Sequence, residues 1–408
     1  MIELLSRESA AQTWRDPAAY WGGIAHAVAE VSGPCAVIEV DALRHNALDM
    51  LVRAAGVPIR VASKSVRVRG VLESTLALPG YAGVLAYPLP EALWLARTHE
   101  DVVVGYPSAD RDALARLARD ERSVTRVTLM VDDLAQLDLL DHVAPARGRA
   151  EVRVAIDADA SWRSAALGHV GVRRSPLFET SDVTRLARAI VARPGIRLVG
   201  LMMYEAQIAG QPDAVGPEAP MMRWMKRRSR AELHDRRARI VTALREIASL
   251  EFVNGGGTGS LESTAADPSV TEVTAGSGLL AGHLFDGYRG FDPAPASAFG
   301  LEVVRRPSDD IATVLGGGWI ASGPARESRQ PRPVWPAGLK TVAREGSGEV
   351  QTPLRGAAAR TVSVGDRVWF RHAKSGETAE HVDRFALVAD GAVIGEEPTY
   401  RGEGKAFL

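Results

Sequence analysis

The sequence predicts an α/β fold, a (β/α)₈ TIM-like barrel followed by a C-terminal antiparallel β domain. Two observations predict it. Through the first two-thirds of the chain, eight short apolar runs alternate with helix-like stretches, which is typical of a closed parallel barrel. From about Gly290 the helical patterns stop, and prolines punctuate short β-prone pieces such as TVSVGDRVWF and FALVADGAVIG, which favours an antiparallel β domain.

The eight apolar runs are rich in Val, Ile or Leu, as expected for strands that are covered on both faces. They are AVIEV from Ala36, IRVAS from Ile59, GVLAY from Gly83, VVVGY from Val102, VTLMV from Val127, VRVAID from Val152, LVGLMMY from Leu198 and EFVNGG from Glu251. We interpret all eight as barrel strands.

Helix-like stretches lie between these runs. The stretch from Asp41 places its apolar residues on one stripe and is followed by Gly56 as a stop signal. A longer stretch from Met225, MKRRSRAELHDRRARIVTALREIASL, carries many Arg and Lys residues. We interpret that charge run as a solvated helix face, which is commoner than an anion-binding surface.

Length and composition limit the function. A chain of 408 residues predicts two domains, here 34–289 for the barrel and 290–408 for the β domain, with residues 1–33 packing on the latter. The net charge of −1 provides no global field for nucleic acid or an anionic membrane. Cys35 is the one cysteine, so a Cys-rich zinc site is excluded, and we expect this thiol in the core. No signal-like or membrane-length apolar run occurs, and the expected location is cytoplasmic.

Polar residues collect where the barrel strands end, which is the face of such barrels that carries function. Strand two ends at Lys64, strand six at Asp157 and strand seven at Tyr204. Lys64 leaves a core strand, so its amine is a candidate nucleophile. Taken alone, a lysine reaching out to solvent from a strand end is the commoner arrangement.

Two turns of small residues change that balance. NGGGTGS follows the eighth run and TAGSG lies shortly beyond it. Glycine-rich turns expose successive backbone N–H groups and allow close approach of a phosphate, and the loops after the last two strands of such barrels commonly form a phosphate site. A lysine, a phosphate cradle and a barrel together indicate a phosphorylated aldehyde cofactor, pyridoxal 5′-phosphate.

The motifs also resemble a known family. EVDALRHN, VASKSVR, GLMMYEAQ, VNGGGTGS and EVTAGSG occur in this order, as in the fold-type III pyridoxal-phosphate enzymes, the alanine-racemase-like proteins. The resemblance extends over residues 34–400, and its branch is the D-threonine aldolase and D-serine dehydratase group, also named amino acid deaminase/aldolase. It implies that Lys64 forms a Schiff base with the cofactor and moves protons at Cα. It further implies cofactor contacts by Tyr204, Gly256, Gly257, Thr258, Gly276 and Ser277, and an ordering role for Asp157.

The chain departs from that pattern in two places. Relatives carry an arginine before the Gly-Val that follows strand six, whereas this chain reads LGHVGVRR, so His169 or Arg173 is expected near the cofactor ring. Relatives hold a divalent cation with a histidine and a Cys or Asp two residues later, whereas this chain reads RHAKSGE. His372 is therefore an expected active-site residue and the one candidate metal ligand. Lys374 either replaces the metal's charge or is a surface lysine of a metal-free site, and the presence of a metal stays open.

The expected function is a pyridoxal-phosphate-dependent lyase, an aldolase or a dehydratase, acting on a β-hydroxy D-amino acid, with His372 and Lys374 acting at the β-hydroxyl. The alternatives are an amino acid racemase, for which Tyr288 or Tyr400 would supply the second base, and a protein that binds the cofactor without catalysis. The resemblance also implies a homodimer in which the β domain of one subunit completes the pocket of the other.

Overall fold

The structure is a computed structural model that describes residues 2, 4 and 12–407. It forms two compact units. The barrel unit comprises Met50–Lys64, Pro79–Ala275 and Phe407. The β unit comprises the described residues of 1–49, Ser65–Leu78 and Gly276–Ala406. The domain ranges 34–289 and 290–408 stay a prediction. The parts of the predictions that fall on residues 1, 3, 5–11 and 408 lie outside the described residues.

The strands and helices follow in chain order. The strands are β1 (Cys35–Glu39), β2 (Ile59–Ala62), β3 (Tyr81–Ala86), β4 (Val102–Val104), β5 (Val127–Val131), β6 (Val152–Asp157), β7 (Trp162–Ser164), β8 (Gly168–Val170), β9 (Ile196–Met203), β10 (Phe252–Gly255), β11 (Glu272–Ala275), β12 (Ser297–Ser308), β13 (Ile311–Leu315), β14 (Arg332–Trp335), β15 (Lys340–Thr341), β16 (Gln351–Arg355), β17 (Arg367–Arg371), β18 (Arg384–Ala389) and β19 (Ala392–Pro398). The helices are α1 (Pro17–Ala27), α2 (Val40–Arg53), α3 (Arg69–Leu76), α4 (Leu89–Leu95), α5 (Arg111–Arg119), α6 (Glu121–Arg126), α7 (Leu134–Val143), α8 (Thr180–Val191), α9 (Ala206–Ala209), α10 (Ala219–Arg245), α11 (Leu261–Ala265) and α12 (Ser277–Leu280).

The barrel unit contains a closed barrel of eight parallel strands, in the order β10, β11, β2, β3, β4, β5, β6 and β9. This confirms the predicted fold class. Apolar side chains from neighbouring strands pack together, among them Val103, Met130, Met202 and Phe252. Because every strand of the barrel is parallel to its neighbours, all their carboxyl ends lie on one rim.

One strand assignment was wrong. The run from Ala36 forms β1, which pairs with β12 and β18 in the nine-stranded sheet of the β unit. The eighth barrel strand is instead β11. The run from Ala36 was misassigned because β1 is buried along its whole length, so its composition is that of a barrel strand. The strand β11 was missed because it carries polar residues. Asn254 of β10 bonds to Glu272 and Thr274 of β11 at 2.8 Å each, so these polar groups are satisfied inside the barrel.

The β unit is built on the nine-stranded sheet, whose neighbouring strands are mostly antiparallel, as predicted for the C-terminal part. The turn ADG joins β18 to β19, with Asp390 and Gly391 at φ +52° and +74°, as expected for a tight hairpin. Helix α1 packs beside this sheet in a cluster of buried residues that includes Trp21, Val37 and Trp369. Cys35 belongs to the same cluster, which confirms its expected place in the core.

The basic helix α10 is not simply a solvated face. Arg236 and Arg237 are 2% and 0% exposed, which corrects the interpretation from sequence for these two residues. Arg236 donates to the backbone oxygens of Asp159 and Ser161, and its guanidinium lies 3.9 Å from the centroid of the Phe178 ring. Periodicity alone could not identify the two buried cations, because their partners are far away in the chain.

Candidate active site

Lys64 lies on the rim of the barrel, in a 3-10 turn (Ser63–Ser65) that directly follows β2. The Ser63 hydroxyl donates to the backbone oxygen of Leu85 at 3.1 Å, which attaches this turn to β3. The Lys64 side chain is exposed, and its amine donates a hydrogen bond to the hydroxyl of Tyr106. The amine is therefore both accessible and held in place.

Tyr106 was not predicted as a site residue. It follows β4 after one intervening glycine, Gly105, and is half-buried. The signal was present in the sequence, because Tyr106 stands at the end of the VVVGY run in the same relation to its strand as the other rim residues do to theirs. Reading the end of the fourth strand would have identified it.

Arg174 lies between two phenols of this rim. Its guanidinium carbon is 5.6 Å from the ring centroid of Tyr106 and 5.8 Å from that of Tyr204. The sequence interpretation pointed to His169 or to Arg173, the residue before Arg174. His169 Nε2 lies 3.2 Å from the backbone oxygen of Val172 within its own loop. The expected contacts of His169 and Arg173 with a cofactor stay predictions. Arg174 is the arginine of this segment that lies between Tyr106 and Tyr204.

Asp157 ends β6 on the same rim and is half-buried. Burial and the nearby negative charge of Asp132, partly offset by Arg174, raise the pKa of Asp157 to about 7. Burial also raises the pKa of Asp132, which follows β5. Asp157 therefore exchanges its proton near neutral pH, and such tuned carboxyl groups are enriched in active sites.

Tyr204 follows β9 and lies beside the glycine turn. Burial raises the pKa of Tyr204 to about 12, although the positive charge of Arg174 acts in the opposite direction. The hydroxyl of Tyr204 therefore stays protonated at neutral pH. A Cβ atom on Gly257 would lie 3.4 Å from Cε2 of the Tyr204 ring and 3.0 Å from Cβ of Ala209. Glycine at 257 therefore keeps a space open along the edge of this ring.

The turn after β10 needs glycine for its shape. Gly256 adopts φ +82°, and a Cβ there would lie 3.1 Å from the hydroxyl oxygen of Thr264, so an L side chain is disfavoured by both conformation and space. The N–H of Gly257 donates to the Ser260 hydroxyl at 3.2 Å. Thr258 is 4% exposed, and its backbone oxygen accepts from Arg53 at 2.6 Å. The turn is thus fixed by its own polar contacts.

A buried network of charged side chains holds this turn in place. Glu205 accepts hydrogen bonds from the N–H of Gly256 at 3.0 Å and from the Thr264 hydroxyl. Arg237 joins the same carboxylate at 3.3 Å and Asp267 at 2.6 Å, and the side chains of all three charged residues are at most 3% exposed. This network was not predicted, because its members are spread over three segments of the chain.

The second glycine segment and the histidine motif both lie in the β unit. Gly276 directly precedes α12 and Ser277 begins it. The backbone oxygen of Ser277 accepts from the Ser375 hydroxyl at 2.7 Å. Ser375 Oγ is also 3.3 Å from Nε2 of His372. The structure therefore brings Ser277 and the RHAKSGE motif together.

His372 is buried, and burial, together with the positive charge of Arg371, lowers the pKa of its imidazole to about 3. The ring is therefore neutral at neutral pH, as a base or a metal ligand must be. Lys374 is exposed, and its amine donates to the Ser322 hydroxyl at 2.9 Å. Glu377 accepts from the backbone N–H of Ser322 at 3.3 Å, so Ser322 contacts both charged residues.

Two features are absent from the part of the chain that the structure describes. Within 2, 4 and 12–407, no cluster of three or more His, Cys, Asp or Glu side chains has the arrangement of a metal site. In the same ranges, none of the helices combines the length and the apolar character that crossing a membrane requires.

Known proteins resemble this chain in sequence and in fold. The chain is 27% identical over 251 residues to the 3-hydroxy-D-aspartate aldolase of Paracoccus denitrificans, covering 61% of this chain and 60% of that protein. The crystal structure of D-threonine aldolase from Filomicrobium marinum superposes with a TM-score of 0.76 at 21% identity, over 92% of this chain and 96% of the other. The D-threo-3-hydroxyaspartate dehydratase from Delftia sp. HT23 gives a TM-score of 0.66 at 21% identity, over 90% and 97%.

The sequence match to the curated relative from Paracoccus spans 60% of its length, whereas the structural matches extend over nearly the whole chain and concern the fold. Residues 38–280 match the family described as alanine racemase, N-terminal domain. That range is more than half of the chain, and it contains Lys64, Tyr106, Arg174 and the turn at Gly256. The chain belongs to the alanine racemase N-terminal domain family.

Proposed function

We propose that this chain is a pyridoxal-phosphate-dependent lyase that acts on a β-hydroxy D-amino acid, with Lys64 as the residue that binds the cofactor covalently. One observation carries the proposal. The amine of Lys64 is exposed on the rim of a barrel whose strand β10 ends in a left-handed glycine turn. Family membership supports it, as do the names of two curated relatives, 3-hydroxy-D-aspartate aldolase and D-threonine aldolase.

The residues present fit this cofactor. An aldehyde requires an accessible primary amine, which Lys64 offers, and a phosphate requires close approach to backbone, which glycine at 256 and 257 allows. The space that a Cβ on Gly257 would fill borders the Tyr204 ring, so an aromatic ring and a phosphate could be held side by side. When bound, the cofactor supplies an electrophilic carbon for amines and a ring that withdraws electrons from the substrate's Cα.

Each of the chain's own groups would then have a separate role. Lys64 would remove or return the proton at Cα, and the side chain of Tyr204 would lie against the cofactor ring. Arg174, placed between two phenols, would hold an anionic group, because a guanidinium offers several donors in a fixed plane. Asp157, with its pKa raised to about 7, would keep a proton available on the rim near neutral pH.

Within the lyase class we propose aldol cleavage first, because both curated relatives are named aldolases. In this reaction a base takes the proton of the β-hydroxyl, the Cα–Cβ bond breaks, and the former β-carbon leaves as an aldehyde. Cα then takes a proton, for which Lys64 is the proposed donor, and glycine is released. His372 is the proposed base, as the family resemblance implies, and Lys374 is the proposed source of positive charge near the hydroxyl. Dehydration would instead expel the hydroxyl as water and end in ammonia and a 2-oxo acid.

The products distinguish these reactions. The cofactor-loaded protein would be incubated separately with D-threonine, 3-hydroxy-D-aspartate and their L forms. Glycine together with an aldehyde is the result expected for an aldolase, and ammonia together with a 2-oxo acid would reassign the chain to the dehydratases. A protein that binds the cofactor but releases neither pair would be a racemase or a cofactor-binding protein, and either result contradicts the proposal.

The racemase alternative gains no support from the tyrosines expected for it. Tyr400 is 2% exposed, and Tyr288 packs against the rings of Phe285 and Phe291 at centroid distances of 5.3 and 5.5 Å. Exchange of the Cα proton in deuterated water without cleavage, and its loss on substituting either tyrosine, would establish that alternative.

We also propose that the chain forms a homodimer, as the family resemblance implies. Light scattering of the full chain at several concentrations tests this directly. A mass of twice 43.6 kDa supports the dimer, and a monomer mass throughout the concentration range contradicts it.

A further inference from the structure

The hydrogen bond between Lys64 and Tyr106 extends across a whole strand of the barrel. Lys64 follows β2 and Tyr106 follows β4, and β3 lies between them. The contact therefore joins residues that follow two strands that are not neighbours in the barrel. A flexible lysine side chain has several rotatable bonds and loses rotamer entropy when it is ordered. A specific partner is thus needed to hold it in this direction.

The contact is made with the hydroxyl of Tyr106 and not with the face of its ring. The amine nitrogen lies 5.1 Å from the ring centroid, while it is within hydrogen-bonding distance of Oη. Both conditions hold when the amine lies beyond the hydroxyl at the edge of the ring. Removing the hydroxyl alone therefore removes the contact.

The backbone before Tyr106 holds the phenol firmly. The N–H of Gly105 donates to the backbone oxygen of Ala86 at 2.8 Å. A Cβ on Gly105 would lie 3.2 Å from Cγ of Leu85, so even an alanine would press against β3. Leu85 also accepts the hydrogen bond from Ser63, and so one residue of β3 supports both the lysine turn and the tyrosine turn.

We infer that Tyr106 is a positioning residue, whose hydroxyl holds the Lys64 amine at the point on the rim where it meets the aldehyde of the cofactor. This inference rests on the proposed function. Its consequence is kinetic. Without the hydroxyl the amine samples more directions, and capture of pyridoxal phosphate by the cofactor-free protein slows by about ten-fold, while the stability of the fold changes little.

The test measures the rate constant for capture of pyridoxal phosphate by the cofactor-depleted full chain, followed at its visible absorbance band. Wild type, Tyr106→Phe and Gly105→Ala would be compared, with thermal unfolding of each. Gly105→Ala keeps the phenol but displaces it. Tyr20→Phe is the matched control, since it removes a tyrosine hydroxyl that donates to the backbone oxygen of Pro295 at 2.8 Å in the β unit.

We expect slower capture by about ten-fold for Tyr106→Phe and a decrease for Gly105→Ala, with unchanged capture by Tyr20→Phe. If wild type captures the cofactor and Tyr106→Phe does so with the same rate constant, the inference is overturned and the proposed function still stands. Equal slowing by Tyr20→Phe would also overturn it, because the effect would then be general. Wild-type protein that captures no cofactor would instead remove the proposed function itself.

Discussion

The side-chain carboxylate of Glu205 accepts a hydrogen bond from the backbone N–H of Gly256 at 3.0 Å. This contact joins the end of β9 to the glycine turn after β10. Because Glu205 is itself held by Arg237, the position of the turn depends on a charge network that is fully inside the barrel unit. A buried ionic group that loses its partner destabilises the folded state, so breaking this network should lower the free energy of unfolding.

Arg237→Met should destabilise the fold strongly. The substitution leaves the carboxylates of Glu205 and Asp267 buried without their cation, and breaking such a network typically costs about 3–5 kcal/mol. Urea unfolding measures the loss. Arg239→Met, on the exposed side of the same helix, is the control and should change the free energy of unfolding by less than about 0.5 kcal/mol. Similar small changes in both variants would show that the network contributes little.

Gly256→Ala should weaken cofactor binding as well as stability. An L residue at φ +82° pays roughly 1–2 kcal/mol, and the new methyl group presses on Thr264. Gly216 is a matched control, because it has φ +85° and nothing within 4 Å of a Cβ placed there. Both variants should lose stability in urea unfolding, but only Gly256→Ala should raise the dissociation constant for pyridoxal phosphate. An equal increase for Gly216→Ala would show that the turn at Gly256 has no special role.

Asp157 should make the protein less stable as the pH rises from about 4 to 7. Its pKa is raised to about 7 in the folded state, whereas an unfolded Asp titrates near 4. Between these values the folded state binds more protons than the unfolded state, so the free energy of unfolding falls with rising pH and then levels off. Asp157→Asn removes this slope. Unfolding of both proteins in urea, measured from pH 4.5 to 8.5, should show the variant gaining on wild type as the pH increases. A constant difference would contradict the raised pKa.

Arg174→Met should raise the pKa of Asp157 further. The guanidinium lowers the pKa of this carboxyl group by favouring its charged form, and methionine removes that attraction. Carboxyl ¹³C NMR of Asp157 gives the titration midpoint directly. Arg173→Met, which changes the neighbouring residue, is the control and should shift the midpoint less. A larger shift in Arg173→Met would show that Arg173 is the cation facing Asp157.

The sequence allowed the fold class and much of the rim to be predicted, because parallel strands buried on both faces carry a clear apolar signal and their ends lie together. That logic placed Lys64, Asp157, Tyr204 and the turn at Gly256 correctly at strand ends. It failed for β1, which has the same composition but pairs with β12 and β18. Pairing partners are a long-range property, and no local pattern records them.

Some site residues could not be predicted from the sequence, for a different reason. Arg174 contacts two tyrosines from distant strands, and Arg237 bonds to two carboxylates from other segments of the chain. Each is one arginine among several in its segment, and only the three-dimensional arrangement distinguishes it from its neighbours. Tyr106 was within reach of sequence reasoning, since it ends a strand that had been identified.

The central claim is that Lys64 binds pyridoxal phosphate covalently. The most direct measurement is borohydride reduction of the protein after addition of the cofactor, followed by mass spectrometry of its peptides, with Lys64→Ala in parallel. The account predicts a reduced phosphopyridoxyl group on Lys64 of the wild type and no labelled peptide in the variant. An unlabelled wild type, or a label that persists in Lys64→Ala, would contradict it.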